Sequence, residues 1–175
     1  MILEIVGIVL LLCFCFVVFF GAPYLPTMRP QIRAALELAD LQPGETLLEL
    51  GCGDGRVLVA AARQGIHAVG YELNPLLVLF CLARTWRYHK LVTVKWGNFF
   101  SQDWPRADAI FVFGLDKVMQ KLDTKIVQQQ KLWRSNANTH TKKTQPPLNL
   151  VSFAFEVPNK QPIREQAGIF LYEYK

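Results

Sequence analysis

Ten consecutive residues constrain this chain more than any others: Leu47-Leu48-Glu49-Leu50-Gly51-Cys52-Gly53-Asp54-Gly55-Arg56. Thr46 to Leu50 reads as a buried strand, 51–55 as a glycine-rich loop, and Arg56 to Gln64 as a helix stopped by Gly65. The glycines follow G-x-G-x-G, not the G-x-G-x-x-G that brings a pyrophosphate to a helix N-terminus. Glu49 stands at the strand end, before the first glycine. A carboxylate there repels a pyrophosphate but suits a ligand that carries an ammonium. Glycines at 51, 53 and 55 let backbone approach that ligand closely.

Two further strand ends support the reading. Val69-Gly70-Tyr71-Glu72 closes a second strand, with Glu72 placed 17 residues after Gly55. A carboxylate in that position can accept both hydroxyls of a ribose. Gly97-Asn98-Phe99-Phe100 follows a third strand, Val92 to Trp96. Asn98 offers hydrogen bonds to an adenine edge, with Phe99 beside the ring. Each piece has a plainer reading. Glu72 alone can be a solvated strand end, Asp54 a helix N-cap, and Asn98 a turn former. Their order and spacing together point to a nucleoside-type cofactor site.

The rest of the chain alternates strand and helix patterns. A short amphipathic helix over Gln31 to Asp40 precedes the first strand. Asn74-Pro75 opens a helix running to about Lys90. Ala109 to Phe113 is a fourth strand, Asp116 to Trp133 a helix, Leu148 to Phe155 a fifth strand, and Ile169 to Tyr174 a last one. Ser135 to Pro147 is a polar connection. This order predicts an α/β fold, a Rossmann-like, doubly wound, mostly parallel sheet. Ligands in such folds bind at the carboxyl ends of the strands.

At these residues the chain resembles the class I, seven-β-strand, S-adenosyl-L-methionine-dependent methyltransferases. The resemblance implies S-adenosyl-L-methionine as cofactor. Glu49, Gly51, Cys52 and Gly53 would then line its methionine part, Glu72 its ribose, and Asn98 and Phe99 its adenine. The family often has Asp where this chain has Asn98. Within the class, the chain is similar to a small membrane-anchored group. That group includes the mitochondrial protein-lysine methyltransferases of the ATP synthase c-subunit and the adenine nucleotide translocase. The shared features are an N-terminal apolar segment, the Pro23-Tyr24-Leu25-Pro26-Thr27 exit, the stretch from Gly51 to Arg56 and an early finish after strand five. The class usually ends in a β-hairpin, and with so few residues after Phe155 that hairpin is expected to be reduced.

The apolar fraction is 51%, and its excess lies at the N-terminus. Ile2 to Phe20 would span roughly 28 Å as a helix, close to the ~30 Å hydrocarbon core of a bilayer. No Lys or Arg precedes it, and Phe19-Phe20-Gly21-Ala22-Pro23 is a poor cleavage site, which favours an uncleaved transmembrane helix over a signal peptide. The expected division is an anchor and exit segment, 1–27, and a methyltransferase domain, 28–175. Arg29 and Arg33 after the run place that domain in the cytoplasm, or in the matrix of a mitochondrial inner membrane. A transit peptide rich in Arg and Ser is missing, which favours a prokaryotic membrane.

The net charge is +5, much of it between Asp116 and Gln145. A solvated helix face accounts for that run, and contact with anionic lipid is the alternative. The cysteines show neither a disulfide framework nor zinc spacing, the three histidines are isolated, and no metal is expected. The loop after strand four, Gly114, Leu115 and Asp116, is the candidate substrate loop, though Asp116 also suits a helix N-cap. That loop lacks Asn-Pro-Pro-Tyr and Pro-Cys, so nucleic acid is not the expected partner. Three functions stay open: a membrane-anchored methyltransferase acting on a lysine of a membrane protein, a methyltransferase for a lipid or small molecule, and a non-catalytic docking module.

Overall fold

The computed structural model describes residues 25–114, 116–136 and 147–175, with residues 1, 4, 5, 7 and 8 at the N-terminus. The expected anchor over Ile2 to Phe20 lies almost wholly outside the described residues. Among those described, no helix is long and apolar enough to cross a membrane.

The elements are α1 (Arg29–Ala39), β1 (Thr46–Leu50), α2 (Arg56–Ala62), β2 (His67–Glu72), α3 (Pro75–Thr85), β3 (Val92–Trp96), β4 (Ala109–Val112), α4 (Asp116–Asn136), β5 (Leu148–Phe153), β6 (Arg164–Gln166) and β7 (Ile169–Tyr174). Local chemistry sets several of these boundaries. Asn74 caps α3: its side chain accepts the Leu76 N–H at 3.0 Å, and Pro75 needs no N–H partner at the first helical position. Asp40, in the left-handed region, ends α1 by donating to the Leu36 carbonyl.

Seven strands form one sheet in the order β3-β2-β1-β4-β5-β7-β6. β3 to β5 pair in parallel, and β7 runs antiparallel to both β5 and β6. The chain builds outward from β1 to β3, then returns to lay β4 on the other side of β1. That reversal opens a crevice above the carboxyl ends of β1 and β4. The alternation within β1 feeds two cores. Leu47 packs with α1 and α2, whereas Leu48 and Leu50 pack with Met119, Leu122 and Ile126 of α4. Helices therefore cover both faces.

The structure shortens one expected helix and shows how short the C-terminal hairpin is. The helix from Pro75 stops at Thr85, and a single 3-10 turn, Trp86–Tyr88, replaces its last turn. Leu91 donates to the Tyr88 carbonyl at 2.8 Å, so the chain must turn early to enter β3. The C-terminal hairpin is also present, with a three-residue first strand, β6. All three β6 residues are exposed, so no hydrophobic alternation marks it. The two-residue turn Ala167-Gly168, both with positive φ, closes the hairpin.

Candidate active site

The carboxyl end of β1 passes into the loop 51–55 under strict backbone control. The Gly51 and Cys52 amides both donate to the Tyr71 carbonyl at 2.9 Å, and Gly55 donates to Cys52 at 2.8 Å. Gly51 has φ +85° with open space around a notional Cβ, so its backbone conformation alone calls for glycine. Gly55 is constrained twice. Its φ is +77°, and a Cβ there would lie 2.5 Å from the Cys81 Sγ of α3.

Glu72, at the end of β2, is tied to this loop. One carboxylate oxygen accepts the Gly53 amide at 2.8 Å, and the other accepts the Asn74 amide at 2.8 Å. The side chain thus joins the glycine loop to the start of α3. Each oxygen keeps a further lone pair for a hydroxyl donor.

Glu49 differs. It is 4% exposed, and its Oε2 has no hydrogen-bond partner among the described residues. Burial pushes its carboxyl well above the usual range, and the neighbouring Cys81, Asp54 and Glu72 push it the same way. A buried carboxyl with one unpartnered oxygen is costly. It fits a ligand ammonium, which would restore the charged form and fill the open acceptor.

Asp54 is an ion-pair centre more than a cap. It accepts the Arg56 amide at 3.3 Å, but its shorter bonds go to the Arg56 Nε at 3.0 Å and to the Arg56 Nη2 and the Arg84 Nη2, each at 2.9 Å. Arg56 in turn donates to the Thr27 carbonyl at 3.1 Å. This chain of contacts fastens the segment before α1, the glycine loop and α3 together. Sequence reasoning missed Arg84 and Thr27, since nothing local marks residues that meet only through the fold.

Cys52 and Cys81 are also brought together, both buried, with sulfurs 3.8 Å apart. The neighbouring Cys81 and burial raise the Cys52 thiol far above its usual range, so Cys52 behaves as a small apolar group. Gly70 completes this packing. A Cβ at that position would fall 2.7 Å from the Cys52 sulfur.

Asn98 follows β3 with its Oδ1 on the Phe100 amide at 2.9 Å, so it does form the turn. Asn98 is exposed, and its side-chain amide nitrogen takes no part in that bond. Phe99 and Phe100 have ring centroids 4.4 Å apart, and Phe99 packs partly into the α4-side core.

The strand ends across the crevice have another character. Phe113, directly after β4, meets Phe153 at 4.5 Å and Phe155 at 6.3 Å between centroids. Gly114 follows, and a Cβ on it would press on Val118 at 3.0 Å. Asp116 is exposed in the first turn of α4, and Leu115 lies outside the described residues. Among the described residues, no group of His, Cys, Asp and Glu is placed to hold a metal.

Strand order, glycine loop and acidic strand ends together define a class I methyltransferase fold. Comparison supports this. The fold is similar to that of an RNA methyltransferase from Salinibacter ruber solved with S-adenosyl-L-homocysteine, with a TM-score of 0.70 and 28% identity over 86% of this chain and 92% of that one. The ANTKMT methyltransferase domain family matches residues 49–164, and the chain belongs to it. It is 33% identical over 106 residues to the lysine N-methyltransferase of the ATP synthase c-subunit from Xenopus laevis, covering 59% of this chain and 46% of that protein. It is 29% identical over 144 residues to a protein-lysine N-methyltransferase of Saccharolobus islandicus (strain REY15A), covering 80% and 81%. The chain spans about half the length of most of the curated lysine methyltransferases it matches.

Proposed function

We propose that this protein is an S-adenosyl-L-methionine-dependent methyltransferase that modifies a lysine of a membrane protein, and that residues 1–27 anchor it in the membrane, with 28–175 facing the cytoplasm. The observation that carries the cofactor assignment is the pairing of Glu72, locked by two backbone amides, with Glu49, buried and holding one empty acceptor. Glu72 suits the ribose hydroxyls, Glu49 the amino acid ammonium, and Gly51, Cys52 and Gly53 the close approach of backbone to the ligand. Asn98 and Phe99 suit the adenine. The family and its lysine-methylating relatives support the acceptor class.

When bound, the cofactor supplies an electrophilic sulfonium methyl. The chain's own task is to orient a nucleophile and keep it neutral. Deprotonating an ordinary lysine at pH 7 costs about 4.6 kcal/mol, from a pKa of ~10.4 at ~1.36 kcal/mol per unit. The rings of Phe113, Phe153 and Phe155 lower that cost by disfavouring an ammonium's hydration at the β4–β5 strand ends. Gly114, Leu115 and Asp116 border the same place.

The RNA-methylating neighbour at 28% identity is the specific observation behind a second reading, in which the acceptor is RNA. The test incubates the full chain with methyl-labelled S-adenosyl-L-methionine and, separately, host membranes, soluble protein, lipid extract and RNA. Label in one membrane protein, recovered as methyl-lysine after hydrolysis and lost with Glu72→Ala, is the expected result. Label in RNA, lipid or small molecules would replace the lysine assignment. No label and no cofactor binding by calorimetry would leave only a docking module.

A further inference from the structure

The α3 face of the domain carries a surface that methyl transfer does not use. Leu79, Phe80 and Trp86 are 64%, 67% and 74% exposed, and Leu82 is half exposed. Leu79, Phe80 and Leu82 lie on α3 away from its buried residues Val78, Cys81 and Thr85, and Trp86 follows in the 3-10 turn that ends the helix. Trp96 extends the surface. Val92 and Val94 of β3 pack into the core beneath α2 and α3, so the strand alternation puts Trp96 on that same sheet face, 65% exposed. Among the described residues β3 is an edge strand, with no further strand to shield it.

Within the segment that forms this surface the charges have one sign, and the nearest acids, Glu72 beside Trp96 and Asp54 on Arg84, belong to its border. From Leu73 to Gln102 the chain has no Asp or Glu. Arg87 and Lys90, just beyond α3, are exposed. Arg84 lies on the same helix, held by Asp54. Tryptophan with basic residues around an aliphatic patch is the chemistry of a bilayer interface: the rings sit at headgroup level and the cations meet anionic lipid. A protein partner would need no such one-sided charge.

The position of the chain before α1 agrees. Arg56 holds the Thr27 carbonyl and also binds Asp54, which binds Arg84 of α3. Leu25 and Met28, on either side of Thr27, are 59% and 62% exposed. Thr27, which follows the N-terminal apolar run in sequence, is therefore fastened beside α3.

We propose that the α3 face, with Trp86 and Trp96 as its aromatic anchors and Arg87 and Lys90 as its cations, lies flat on an anionic lipid bilayer. This contact does not depend on the N-terminal anchor or on the identity of the methyl acceptor.

The test uses the full chain on vesicles containing phosphatidylglycerol or only phosphatidylcholine, each with brominated acyl chains. Bromine quenches tryptophans that reach the interface. Trp104 is buried and Trp133 packs on the opposite core, so both serve as internal controls. The expected result is strong quenching on phosphatidylglycerol, weak quenching on phosphatidylcholine, and loss of the quenched component in Trp86→Phe/Trp96→Phe. Arg87→Gln and Lys90→Gln should each weaken docking about fivefold, as expected for ~1 kcal/mol per cation.

Three results would overturn the proposal. One is equal quenching on both lipids. Another is a quenched component that survives in the double variant. The third is protection of Trp86 and Trp96 that rises with protein concentration in the absence of lipid, which would assign the face to a second copy. Failure of the N-terminal anchor alone would read differently: the chain would float free of phosphatidylcholine yet still dock on phosphatidylglycerol.

Discussion

The two halves of the strand-end rim are built on opposite principles. Over β1 to β3 the rim is polar and held rigid. Glu49, Asp54 and Glu72 converge there, and backbone amides fix the loop and Glu72. Over β4 and β5 the rim is three phenylalanine rings, with the carboxylate of Asp116 exposed beyond them. A charged, multi-functional ligand needs fixed donors and acceptors. A neutral amine needs the opposite, a place where its charged form is poorly solvated. Under the proposed function, the contrast would let one crevice serve both.

The largest expected effect breaks the rigid half. Gly55→Ala adds a Cβ 2.5 Å from the Cys81 sulfur at φ +77°. It should cost about 2–4 kcal/mol, summing left-handed strain and overpacking. Gly51→Ala, with similar φ but open space, should cost only about 1–2 kcal/mol. Urea unfolding of both variants separates packing from backbone strain. Equal costs would show that the α3 contact is not tight.

Glu72→Gln follows. It sets an amide NH2 against one of two backbone N–H donors, so cofactor affinity should fall about tenfold or more, from ~1–3 kcal/mol per unsatisfied donor. Calorimetry with S-adenosyl-L-homocysteine measures this. Unchanged affinity would detach Glu72 from the site.

Glu49→Gln should act with opposite signs on stability and binding. Burial keeps the proton on Glu49 in the folded chain, whereas the unfolded chain releases it near pH 4.5. The cofactor-free protein therefore loses stability as pH rises above 4.5 towards the raised folded value, and then levels off. The variant should lose that slope and be more stable at neutral pH, yet bind the cofactor about tenfold more weakly. Thermal unfolding between pH 4 and 8 checks the first half, and calorimetry the second. A variant that binds normally would remove the ammonium from Glu49.

Phe113→Ala tests the apolar half. It should raise KM for the methyl acceptor several-fold and leave cofactor affinity unchanged, since the ring packs with Phe153 and Phe155 at the ends of β4 and β5. A loss of cofactor affinity instead would merge the two halves. The smallest effect is Asn98→Ala. It frees the Phe100 amide at an exposed turn and should cost under about 1 kcal/mol.

Much of this was legible without coordinates, because the signals are local. The glycine spacing, the acids at the ends of the first two strands and the Asn74-Pro75 cap depend on neighbours within a few residues, and periodicity marked the five parallel strands. Strand ends still shifted: β4 stops at Val112 and β5 at Phe153, where Ala154 takes a positive φ. β6 escaped notice because its residues are all exposed and only pairing with β7 makes it a strand. The empty acceptor on Glu49, the Cys52–Cys81 contact, the Asp54–Arg84 bridge and the joining of three phenylalanines belong to the tertiary structure alone. Each joins residues far apart in sequence or depends on how deeply a side chain is buried. Composition and spacing specify which groups are available, while packing decides which of them lose water and which meet.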